Sequence, residues 1–93
     1  MKKVTFTLYS DPGHGWIKVP LPLLQKLGIA GNISSYSYWR KGHAFLEEDC
    51  DAGLLIDALV DQGIKPTLRE RAAKVRYSKI RGYEHYRATL HRD

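Results

Sequence analysis

Val4, Phe6 and Leu8 alternate with Thr5, Thr7 and Tyr9 at the start of the chain. A period of two, rich in β-branched and aromatic residues, predicts a strand over residues 3–9 with one apolar face. Ser10-Asp11-Pro12-Gly13 then reads as a turn, because Asp folds back on its own backbone, Pro presets φ and Gly supplies positive φ. Residues 15–19 form a short second strand, antiparallel to the first. Pro20 and Pro22 mark a helix start, where a missing N–H costs nothing, and Leu23, Leu24 and Leu27 make its apolar stripe up to Gly28.

The second half repeats this order with little residue similarity. Residues 33–40 predict a strand with Tyr36 and Tyr38 on one face and Ser35, Ser37 and Trp39 on the other. Lys41-Gly42 fits a hairpin tip, and residues 43–48 return as a fourth strand. Asp49 or Asp51 supplies an N-cap carboxylate for a helix whose stripe is Leu54, Leu55, Ala58 and Leu59, closed by Gly63. Residues 64–68 read as a fifth strand, and beyond Arg69 the periodicity fades. The expected fold class is α+β: a two-layer sandwich of about five antiparallel strands with two short helices on one face, in the order ββαββαβ. The expected core includes Val4, Phe6, Leu8, Leu24, Leu27, Leu55, Leu59 and Ile64. The other sheet face is left open, with Trp39, Tyr36 or Phe45 on it, so a homodimer or a partner contact is expected there.

At 93 residues the chain is a single small domain spanning 1–93, with 69–93 a basic, aromatic-containing C-terminal segment. A composition of 43% apolar and 27% charged residues excludes disorder, and no apolar run approaches the ~20 residues of a membrane span. Met1-Lys2-Lys3 is basic, but no apolar stretch of about 7–15 residues follows, so a secretory signal is not read there. One cysteine, Cys50, allows no internal disulfide and makes a reducing cytoplasm the default. The net charge of +5 hides a sharp split. Residues 1–46 oppose six Lys/Arg to Asp11 alone, residues 47–61 hold six acids and no base, and the remainder is basic again. The surface should be dipolar, with a basic end for phosphates or an acidic protein.

The run Tyr9-Ser10-Asp11-Pro12-Gly13-His14-Gly15-Trp16, with Leu27-Gly28-Ile29, Tyr36-Ser37-Tyr38, Leu46-Glu47-Glu48-Asp49-Cys50-Asp51 and Ser78-Lys79-Ile80-Arg81-Gly82-Tyr83, resembles a family of small proteins of bacteriophage and prophage genomes. The likeness covers most of the chain. That family has no established activity, so the resemblance implies a phage-encoded protein in the cytoplasm of a bacterial host and carries over no site residue. Small phage proteins of this kind often bind host or defence machinery, so it favours an interaction role.

Three constellations could carry chemistry. In Asp11–Trp16, two glycines admit a ligand close to the backbone, His14 is an acid, base or donor, and Trp16 is a stacking surface; a plain hairpin loop with Trp16 in the core explains the same residues. Glu47-Glu48-Asp49-Cys50-Asp51 offers oxygen ligands, yet it matches no calcium-loop or zinc spacing, and helix capping accounts for it; no metal or cofactor is expected. Cys50 among acids is a poor thiolate. Residues 69–87 carry the strongest binding signal: Arg69, Arg71, Lys74, Arg76, Lys79, Arg81 and Arg87 interleaved with Tyr77, Tyr83, His85 and Tyr86. Cations neutralise phosphates and rings stack on bases, but the same mixture anchors protein interfaces. The expectation is therefore a binding protein with no catalytic residues, using Arg76, Tyr77, Lys79, Arg81, Tyr83 and Tyr86 together with His14 and Trp16. Its partner is expected to be a host or phage protein. A nucleic acid is the alternative, a small hydrolase built on His14 with Glu47 and Asp49 is the third reading, and no membrane is involved.

Overall fold

The first strand, β1 (Lys2–Ser10), turns through Asp11–His14 into β2 (Gly15–Pro20), which pairs antiparallel with it at Leu8↔Ile17 and Tyr9↔Trp16. The computed structural model describes residues 2–91; the last two residues of the basic segment, 92–93, lie outside them. Helix α1 (Leu21–Lys26) starts with Pro in its first turn and ends before Gly28, whose φ is +74°. Strands β3 (Tyr38–Arg40) and β4 (His43–Glu47) form a hairpin over Lys41 (φ +48°) and Gly42 (φ +82°), two left-handed residues of the kind that matches strand twist. Helix α2 (Ala52–Asp61) leads into β5 (Ile64–Ala72), and a short β6 (Glu84–His85) and α3 (Ala88–His91) complete the chain.

The result is the α+β sandwich that the hydrophobic pattern predicts, with a six-stranded sheet in the order β5-β1-β2-β4-β3-β6. The sheet is mixed, not wholly antiparallel, because β5 runs parallel to β1 over the full length of both strands. The α2 crossover brings the chain back to the end where β1 began, and a parallel partner is what such a connection produces. Arg69 to Ala72, where periodicity fades in the sequence, still belong to β5.

Leu24, Leu55 and Leu59 seal one sheet face through Phe6, Ile17, Val19, Ala44 and Leu46. Of the expected core, Phe6, Leu24, Leu55 and Leu59 are buried, whereas Val4, Leu8, Leu27 and Ile64 pack at its margin. Two local expectations are corrected. Residues 33–37 are not strand, because Ser34 donates to Asp51 from both N–H (3.1 Å) and Oγ (2.7 Å), and Ser37 donates to it too. These bonds fold the serines onto the start of α2. Asp51 does occupy the N-cap position, but its carboxylate makes no cap bond since the serines take it.

The second sheet face is not left open. After β5 the chain crosses back over it as a strap, residues 73–83, and buries Trp16, Phe45 and Ile80 with Tyr9, Tyr38 and Tyr83 packed around them. The strap then rounds the β3 edge through β6, and Tyr86 enters the main core, where its hydroxyl donates to the Ala30 carbonyl at 2.6 Å. Of the aromatics expected to be left over, Phe45 is buried, Trp39 packs against the main core, and Tyr36 is 70% exposed.

Candidate ligand-binding face

Asp11 holds the strap. Its Oδ1 accepts the N–H groups of Gly13 and His14, both at 3.0 Å, which makes the Asx turn of the β1–β2 loop. Oδ2 accepts the Ser78 N–H at 2.8 Å, and the Arg81 guanidinium donates to both oxygens at 2.7 and 2.8 Å. One carboxylate, fully buried as a side chain, thus joins the first loop to a segment some 70 residues later. The Arg81 guanidinium and the three N–H groups hold its carboxyl far below the usual carboxylate range, against the opposing effect of burial. A Cβ at Gly13 would stand 3.0 Å from the Arg81 guanidinium, so a larger residue there would press on the clamp. Arg81 also lies over the rings of Trp16 (5.5 Å) and Tyr77 (5.1 Å), a cation–π arrangement.

This assigns several of the sequence-named binding residues to the fold. Trp16 and Tyr86 are 2% and 1% exposed and present no surface to a partner. Arg81 is committed to Asp11, and Tyr83 packs edge-on to Phe45 at 5.1 Å beneath Arg40. Arg76, Tyr77 and Lys79 remain exposed on the strap.

His14 stands apart from them. Its Nδ1 lies 3.3 Å from Glu47 Oε1, its ring packs 6.1 Å from that of Trp16, and donor atoms of His14, Glu47 and Asp49 fall within 4.8 Å of one another. Within this cluster Glu47 Oε2 also accepts the Asp49 N–H at 2.9 Å, which orients the Glu47 carboxylate. Beside them the Cys50 thiol is pushed up by its hydrogen bond to Glu47 and by the surrounding acids, which weakens it as a nucleophile.

The feature that sequence reasoning missed is created by register. Lys3 pairs with Lys65, Thr7 with Arg69 and Tyr9 with Arg71 across β1 and β5, while Lys18 pairs with Phe45 and Arg40 with His43 farther along the sheet. Paired residues share a face, so Lys3, Lys18, Arg40, Lys65, Arg69 and Arg71 all emerge on the strap side. On that face the strands carry one acid, Glu47, which is buried. The exposed Asp57 and Asp61 lie on α2, against the opposite face. The alternation of Lys65, Thr67, Arg69 and Arg71 is visible in the sequence, but it becomes a signal only once β5 is known to run through Ala72.

Between the strap and the sheet lies a groove of about 530 Å³ whose lining includes Tyr9, Lys18, Phe45, Arg71, Lys79 and Tyr83 and no Asp or Glu. His14, Glu47 and Asp49 do not line it, so the hydrolase reading gains no pocket from it. Among the described residues, no helix is long and apolar enough to cross a membrane. Comparison with family models, with curated proteins and with solved structures yields no match.

Proposed function

We propose that this chain is a non-catalytic binding protein that holds a nucleic acid on the strap side of its sheet. The observation that carries the reading is the gathering of Lys3, Lys18, Arg40, Lys65, Arg69 and Arg71 on one face by strand register, with Lys79 added by the strap. A field of cations interleaved with Thr and Tyr, with the buried Glu47 as the one acid of the strands on that face and Asp57 and Asp61 of α2 on the opposite one, suits a polyphosphate backbone. It suits the core of a protein interface less well, since such cores are depleted of charge. The resemblance to small phage proteins supports a role in an infected bacterial cell, on host, defence or phage nucleic acid.

An acidic protein partner is the second reading, and one observation favours it. Val75 and Tyr77 are 62% and 60% exposed on the strap, flanked by Lys74, Arg76 and Lys79, which is the composition of an interface anchor.

Fluorescence anisotropy with a labelled oligonucleotide tests the first reading. Affinity should fall with salt at a logarithmic slope of about −0.7 for each single-strand phosphate contact, and Lys65→Ala/Arg69→Ala/Arg71→Ala should flatten that slope by about 2. Absence of binding at low salt, or affinity indifferent to salt, refutes it.

A further inference from the structure

We infer that the groove under the strap receives one unpaired nucleotide, so that the basic face prefers single strands to duplexes. The inference rests on the nucleic-acid reading and concerns what that face selects.

The groove is sized for one such unit: about 530 Å³ lies within the ~300–1,000 Å³ of small-ligand clefts. Its two kinds of lining match the two parts of a nucleotide. Phe45, 6% exposed, forms part of the lining, with the Tyr83 ring 5.1 Å and the Tyr9 ring 6.2 Å from its own. Tyr9 and Tyr83 are only partly buried, so ring surface remains for a base to stack on. Lys18, Arg71 and Lys79 supply cations from β2, β5 and the strap, and no carboxylate in the lining opposes a phosphate. Arg40, placed 4.9 Å over the Tyr83 ring, fixes that ring in position before any ligand arrives. The walls come from the strap itself, through Ala73, Val75 and Ile80, so the cavity depends on the strap being held down at Asp11. A paired base cannot enter such a groove without leaving its stack, which costs a duplex affinity that a single strand keeps.

The test compares a labelled 12-nucleotide thymidine strand with a duplex of the same length, by anisotropy at one salt concentration. The strand should bind about 10-fold more tightly than the duplex, the scale of one base stacked on an aromatic ring. Tyr83→Leu retains apolar packing on Phe45 but removes the stacking ring, and it should bring the strand-to-duplex affinity ratio close to one. Lys79→Ala, at an exposed position where folding is not at stake, should lower the same ratio. Equal wild-type affinity for strand and duplex, or a preference that survives both substitutions, overturns the groove inference and leaves the basic-face reading standing. Binding of neither oligonucleotide overturns both and returns the face to an acidic protein.

Discussion

Replacing Asp11 with Ala should release the strap while the rest of the sandwich survives. The substitution deprives three backbone N–H groups and the Arg81 guanidinium of their acceptor at once. Removing one partner of a buried pair costs about 3–5 kcal/mol, because the other charge is left uncompensated. Arg81 retains 30% side-chain exposure and can regain water, which places Asp11→Ala near the lower end, about 3 kcal/mol. A domain of this size holds roughly 5–14 kcal/mol in total, so it should still fold. Asp11→Asn keeps an acceptor for the Asx turn but loses the charge, and about half the cost should remain. Amide hydrogen exchange reads the effect directly: protection of Ser78 and Arg81 should collapse, while that of β2 and β4 falls only by the global loss. The pH dependence has a definite sign. Asp11 binds its proton more weakly folded than unfolded, so its contribution is present above about pH 4 and is lost as the pH falls below that value. Wild type should therefore lose stability in acid more steeply than Asp11→Ala. An unchanged urea midpoint in Asp11→Ala, with Ser78 still protected, would refute the clamp.

Other substitutions probe the remaining parts of the fold. Leu55→Ala, at a fully buried position, should cost about 2–5 kcal/mol by thermal or urea unfolding; a loss below 1 kcal/mol would mean that α2 does not seal the core. Tyr86→Phe removes the hydroxyl that donates to Ala30 and should cost about 1 kcal/mol, with a preserved fold. Gly42→Ala forces a Cβ into a left-handed conformation at the hairpin tip and should cost roughly 1–2 kcal/mol, although nothing crowds the position.

Much of the architecture is legible in local pattern. The alternation in residues 3–9 and 43–47, the Lys41-Gly42 hairpin and the leucines of α1 and α2 each satisfy short-range physics, and each recurs in the structure. What local pattern does not show is pairing between distant segments. Ser34 and Ser37 look like strand residues until Asp51, 17 and 14 positions later, takes their hydroxyls. The aromatic face looks vacant until Arg81 reaches back 70 positions to Asp11 and draws the strap across it. Binding residues suffer the same ambiguity, since an Arg–Tyr-rich tail reads alike as partner surface or as packing. In the structure Tyr86 is buried in the main core and Arg81 is paired with Asp11, whereas Lys3, Lys18 and Lys65, ordinary strand lysines in sequence, share the strap-side face through register.

Chemical-shift mapping of the amide spectrum during titration with the 12-nucleotide strand tests the central claim, that the strap side of the sheet is the binding surface. Shifts should concentrate on Tyr9, Lys18, Arg69, Arg71 and Lys79 and fade as salt is raised, while Asp57 and Asp61 on α2 stay still. Shifts centred on α2, or none at any strand-to-protein ratio, would contradict the account.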